Sequence, residues 1–319
     1  MDKLTLLQFY RKAIEVVGFQ EDKKEKSWMP KLGPNDFRSV VRQGSYRGKR
    51  AVIKVSPHEN LLVIARDYEH YQKATIGQPV VKVPLILRSG KIKGAQYLIQ
   101  QSAPDGGRIL KNYPLSTRAE KEEVATLYWN TVSYFPEFYL GQWAVSDYFL
   151  ERLDKWFAIG KENGAVKSGF ISQKEKDRTA ELIFSNLKKM KMEPFFTHFA
   201  NTDIIKSSKK YYIWDSTIVP KPEAAGIALW IWGATLYAYK LPPARWLEEV
   251  RAWTRTFARL APKSRQQNLR LKIRINLLER MLGSLLVDLP LKRSPFYKLS
   301  QKEVARATKM ARAVLYSLL

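Results

Sequence analysis

Apolar residues alternate with polar ones in short runs near the start of the chain and recur at helical spacing beside them. Val40 and Val41, then Ala51 to Val55, read as two strands around a Gly-Ser-Tyr-Arg-Gly turn. Leu61, Ile64, Ala65, Tyr68 and Tyr71 mark the apolar face of a helix over roughly residues 58–74. Residues 1–20 read as an amphipathic helix with internal charges. Further on, Ile204 and Ile205, then Tyr211 to Trp214, predict a hairpin about the polar turn 206–210. The run 224–239 is apolar and uncharged for 16 residues, short for a membrane span, and predicts a buried helix. Helical spacing returns at Leu271, Ile275, Leu278, Leu282 and Leu285, and again over 300–318.

The order of these elements predicts an α+β chain in three segments. Residues 1–35 form a helical extension ending in the charged linker E-D-K-K-E-K and Pro34. A small β-rich lobe with one main helix spans 36–103, and P-D-G-G at 104–107 breaks the pattern. A mainly helical large lobe fills 104–319, interrupted by the hairpin. One bilobal unit is expected rather than independent domains.

Chemistry enters at two places. Asp203 stands just before the hairpin's first strand and Asp215 just after its second, so both project from one end. Two carboxylates there suit a hard cation such as Mg²⁺ whose other ligands are phosphate oxygens. Upstream, Gly44, Ser45 and Gly48 belong to a turn whose glycines permit close backbone approach to phosphates. Lys54 follows on the second strand, within reach of phosphate oxygens. Helical spacing puts Glu69 on the rim of the next helix's apolar face and points Glu59 and Asp67 further away. A lysine held by a helix glutamate is the phosphate-positioning pair of phosphotransferases.

Over roughly residues 36–240 the chain resembles the protein-kinase-like superfamily, in its aminoglycoside phosphotransferase and choline kinase branch. A-V-I-K ending at Lys54 is similar to the family's strand lysine, and Glu69 to its helix partner. Q-Y-L-I-Q-Q-S-A from Gln96 is similar to the strand leading into the hinge, which implies nucleotide contacts near Gln100 and Ser102. The branch's catalytic loop reads H-G-D-x-x-x-x-N. Laid over this chain, Phe196 takes the His, Thr197 the Gly, His198 the Asp and Asp203 the Asn. A register with His198 as the first His fits worse, putting Ala200 and Ile205 at the base and Asn positions. Asp215 takes the aspartate that binds metal.

The resemblance implies a bilobal kinase-like fold, ATP and Mg²⁺, and a small-molecule hydroxyl acceptor. The usual catalytic aspartate is replaced. Either His198 accepts the proton, as a neutral imidazole does near pH 7, or the chain is a pseudokinase-type binding module. The family's buried helix starts with an aspartate that braces the catalytic loop, whereas Ala224, Ala225 and Gly226 offer none.

Composition adds charge to this picture. There are no cysteines, so disulfides and thiolate metal sites are excluded, and a cytoplasmic protein is expected. Three scattered histidines do not suggest zinc. No secretion signal is visible. The net charge is +25, and residues 241–319 hold 17 Lys or Arg against 5 Asp or Glu. Arg270, Lys272, Arg274 and Arg280 mark one basic helix, and Lys302, Arg306, Lys309 and Arg312 another. Two readings stand: solvated faces of core helices, or attraction to a phosphorylated substrate, nucleic acid or an acidic membrane surface. No helix-turn-helix, zinc-finger or RNA-binding consensus favours nucleic acid. The aromatics are expected in the core.

Overall fold

The computed structural model describes residues 2–24, 29, 31–33, 36–74, 80–102, 108–110, 117–133, 144–196, 204–213, 218–293 and 296–319. The chain divides into two compact units, Met1–Ile109 with Asp203–Thr217 and Leu110–Thr202 with Ile218–Leu319.

The first unit begins with α1 (Lys3–Val17), β1 (Gln20–Glu21), β2 (Lys31–Gly33), β3 (Asp36–Phe37), β4 (Val40–Tyr46) and β5 (Lys49–Ser56). It continues with α2 (Leu61–Ala74), β6 (Val81–Lys82), β7 (Ile86–Ile92), β8 (Ala95–Gln101) and β9 (Arg108–Ile109). After β10 (Met192–Phe196), which belongs to the second unit, the hairpin β11 (Ile204–Ser207) and β12 (Lys210–Ile213) returns to it.

A five-stranded antiparallel sheet, in the order β1-β4-β5-β8-β7, is the centre of this unit. β5 is its middle strand, and every residue from Ala51 to Ser56 is buried. Alternation explains why. Ala51, Ile53 and Val55 face α1 and share its core cluster with Leu6, Tyr10, Ala13 and Val17, which recur on one side of that helix. Val52, Lys54 and Ser56 face the other side of the sheet, where α2 packs on β7 and β8.

The turn between β4 and β5 is tighter than the sequence suggested. β4 runs on through Gly44 and Ser45, and Tyr46 pairs with Lys49. Only Arg47 (φ 48°) and Gly48 (φ 72°) turn, both left-handed, as a two-residue hairpin that follows the sheet's twist requires. The β11–β12 hairpin is likewise closed by two residues, with Ser207 paired to Lys210. β9 borders it on one edge and β6 runs parallel to it on the other.

The second unit holds α3 (Arg118–Ser133), α4 (Val145–Glu162), α5 (Gln173–Phe184), β10, β13 (Ile218–Pro222), α6 (Ala225–Leu236), α7 (Trp246–Leu260), α8 (Leu269–Gly283) and α9 (Gln301–Leu318). β10 and β13 pair antiparallel, with Phe196 opposite Ile218. The long apolar run is α6, buried along nearly its whole length between α7 and α8. No helix among the described residues is long and apolar enough to cross a membrane. The aromatics pack inward as expected: Trp253 meets Trp230 edge-on at 5.8 Å and lies 5.9 Å from Phe257. Serine–glutamate capping boxes at Ser172 and Ser300 set the starts of α5 and α9.

Candidate functional site

The site is built on Lys54. Its side chain sits on the α2 side of the central strand, 8% exposed, with Nζ 2.8 Å from Glu59 Oε2. Glu59 lies in the turn between β5 and α2, and one hydroxyl fixes that turn. Ser56 Oγ donates to the Arg38 carbonyl (2.7 Å) and accepts the backbone N–H groups of His58 (3.1 Å) and Glu59 (3.0 Å). The Arg38 guanidinium takes the other Glu59 oxygen. One buried carboxylate thus orients two cations.

This corrects the expected pairing of Lys54 with Glu69. Glu69 is exposed on the outer face of α2, whereas Asp67 is buried. The helix begins only at Leu61. Glu59 lies outside it, where helical spacing has no say in where a side chain points.

Gly44 and Ser45 are held by the N-terminal arm. β1 pairs with β4, placing Gln20 opposite Ser45 and Glu21 opposite Gly44. A Cβ on Gly44 would stand 2.1 Å from the Gln20 carbonyl oxygen, so only glycine fits. Ser45 Oγ donates to Gln20 Oε1 (3.2 Å). Glu21 pairs with Arg42 (2.9 Å) and accepts from the Tyr10 hydroxyl (3.1 Å), tying the strand to α1. Gly44→Ala must displace β1 from the sheet. It is expected to cost about 1–3 kcal/mol, the range for overpacking, and an unchanged thermal midpoint would contradict this packing.

Gln100 is buried on β8 opposite Val52. Ser102 donates its backbone N–H to the Arg50 carbonyl (3.2 Å), and its buried Oγ has no partner among the described residues. His198, Asp203 and Asp215 lie outside the described residues. The hairpin between the two aspartates is described, with Ile204 paired to Ile213 at its open end.

A second buried carboxylate escaped the sequence reading. Glu193, on β10, accepts the Ala224 N–H (2.7 Å) and the Tyr128 hydroxyl (3.3 Å) at Oε1, while Arg265 approaches Oε2 (3.3 Å). The start of α6, which has no acid of its own, therefore receives a carboxylate from a neighbouring strand. No local motif announces this, because the partners are 31 to 72 residues away in sequence.

Burial pushes the Glu193 carboxyl from its ordinary 4.5 up to about 7. Below pH 4.5 the folded and unfolded chains both hold the proton. Between there and about 7 only the folded chain does, so stability falls as pH rises through that window. The shift corresponds to about 3 kcal/mol. Glu193→Gln should flatten that dependence in urea unfolding at pH 5 and pH 8; an equal slope in both proteins would refute the assignment.

No family model and no curated protein matches the chain. Solved structures do. Aminoglycoside phosphotransferase APH(4)-Ia is 11% identical over 99% of both chains, with a TM-score of 0.56. Spectinomycin phosphotransferase, solved with ADP and spectinomycin, is 12% identical over 97% of this chain and 98% of its own, with a TM-score of 0.57. An aminoglycoside phosphotransferase from Alicyclobacillus acidocaldarius is 10% identical over 94% and 93%, with a TM-score of 0.51. At such identities the likeness is one of fold. The antiparallel sheet and the helical second unit together are the protein-kinase-like fold, in the form shared with aminoglycoside phosphotransferases.

Proposed function

We propose that the chain is an ATP-dependent phosphotransferase acting on a hydroxyl of a small molecule. The buried Lys54–Glu59 pair on the middle strand carries this reading. A lysine fixed by a carboxylate, with a second oxygen held by Arg38, is preorganised to meet phosphate oxygens. The hairpin tip at Gly48, with Gly44 and Ser45 behind it, lies over the phosphates, and Gln100 and Ser102 border the base. The Ser102 hydroxyl, without a partner among the described residues, suits a polar ligand edge. Asp203 and Asp215 are the metal-holding pair, and bound Mg²⁺ supplies charge neutralisation on the phosphates. His198 accepts the acceptor's hydroxyl proton. The neighbour solved with ADP and spectinomycin supports a nucleotide and a small-molecule acceptor together.

Transfer from labelled ATP to a panel of hydroxyl compounds tests the reading. Wild type should transfer label, and His198→Ala should lose roughly 10²- to 10⁴-fold, the range for a general base. Transfer undiminished in His198→Ala would remove that residue's role. ATP binding without transfer to any acceptor would favour the pseudokinase-type alternative. One observation leans that way: β1 fills the space beside Gly44 and pins the strand that leads into the hairpin.

A further inference from the structure

The two basic C-terminal helices hold most of their named cations in ion pairs or hydrogen bonds within the fold. Lys272 pairs with Glu223 (2.8 Å), Arg280 with Asp288 (3.3 Å) and Arg312 with Glu175 (3.1 Å). Arg274 donates to the carbonyls of Leu318 and Leu319, and Arg306 to that of Leu241. Cations without a carboxylate gather on the outer face of α7 and beside its C-terminal end. Arg251, Arg255 and Arg259 are exposed there at intervals of four residues, spaced about 6 Å apart along one ridge. Arg251, Arg255, Lys263 and Arg270 have no carboxylate partner among the described residues. Arg259 and Arg118 share a single carboxylate, Glu122.

Concavities flank the ridge on both sides. One of about 730 Å³, towards the start of α8, is lined by Arg255, Arg259, Gln266, Asn268 and Arg270. The other, of about 450 Å³ against α3, is lined by Arg118, Glu122, Arg255 and Arg259. Among the described residues, no aromatic lines either, and none of the exposed large apolar side chains belongs to α7 or to the lining of the two concavities.

We propose that this face binds double-helical nucleic acid through its phosphates, without reading sequence. Guanidinium forks grip phosphate oxygens in pairs. A cationic ridge between two basic clefts matches two phosphate strands bordering a groove, and the major groove of B-DNA admits one helix. Single strands call for aromatic platforms, and the described residues of this face supply none. Membrane insertion calls for large exposed apolar side chains, which the described residues of this face also do not supply. Four uncompensated cations, Arg251, Arg255, Lys263 and Arg270, predict a slope of about −3 to −4 for log K against log salt.

The test is fluorescence polarisation of the full chain with a labelled duplex of about 20 base pairs, from about 50 to 200 mM salt. Wild type should show that slope. Arg255→Glu with Arg270→Glu should weaken binding at least about 10-fold and flatten the slope by about two, since each lost phosphate contact removes about one. Both residues are exposed, so the thermal midpoint should hold. Arg11→Glu with Lys12→Glu on α1 carries the same charge change and should weaken binding far less. Equal weakening by the two pairs would reduce the effect to diffuse net charge and overturn the proposal. So would salt-insensitive binding, or a site that prefers single strands or phosphatidylserine vesicles to the duplex.

Discussion

Lys54→Met is expected to lower ATP-dependent phosphoryl transfer roughly 100- to 1,000-fold, the range for losing one preorganised electrostatic donor. The side chain is buried and fixed before nucleotide arrives, so its contribution needs no reorganisation. Glu59→Gln tests the same arrangement from the other side. It leaves two cations, Lys54 and Arg38, around a neutral amide. Breaking a buried pair this way costs about 3–5 kcal/mol, so both stability and kcat/KM should fall. Glu69→Gln, on the exposed face of α2, should change neither. A Glu69 variant as damaging as the Glu59 variant would return the pairing to the helix and contradict the geometry.

Trp253→Ala is expected to be the most destabilising single change in the helical unit. The indole is fully buried against Trp230 and Phe257. Its N–H donates to Glu249 Oε2 (3.0 Å), whose other oxygen pairs with buried Lys121 (3.2 Å) beneath the same ring. Truncation opens a cavity and takes from the buried Glu249–Lys121 pair the indole N–H that Glu249 accepts and the ring beside Lys121. Large aromatic-to-alanine changes in cores cost about 3–5 kcal/mol, which lowers the melting temperature by about 4–7 °C in a chain of this size. Calorimetry of the purified variant measures it. A drop of only a degree or two would mean that α6 and α7 repack freely.

Strands and helices were legible wherever one period governed a run. Val40 with Val41, Ala51 to Val55, the α2 face and the β11–β12 hairpin all follow from alternation or helical spacing. Most of what escaped depends on partners far away in the chain. Gly44 looked like a turn glycine, but its small size answers to Gln20, which reaches it only through pairing of β1 with β4. Glu59 was set aside by a helical rule that does not reach outside the helix. Glu193 has no local signature, since its partners come from three other elements of its unit. The charge count misled for the same reason. It weighed Lys272 and Arg280, each paired with a carboxylate, equally with Arg255, which has none among the described residues. His198, Asp203 and Asp215 lie outside the described residues and are assigned by spacing and resemblance.

The central claim is a nucleotide site organised around Lys54 and the Asp203–Asp215 pair. A thermal-shift titration with ATP, with and without Mg²⁺, on wild type, Lys54→Met and Asp215→Ala tests it most directly. At 100 times the dissociation constant, ligand stabilises the fold by about 2.7 kcal/mol. The account predicts a rise in melting temperature for wild type that strengthens with Mg²⁺, is lost in Lys54→Met and loses its Mg²⁺ dependence in Asp215→Ala. No rise in wild type at millimolar ATP, or an equal rise in all three proteins, would contradict it.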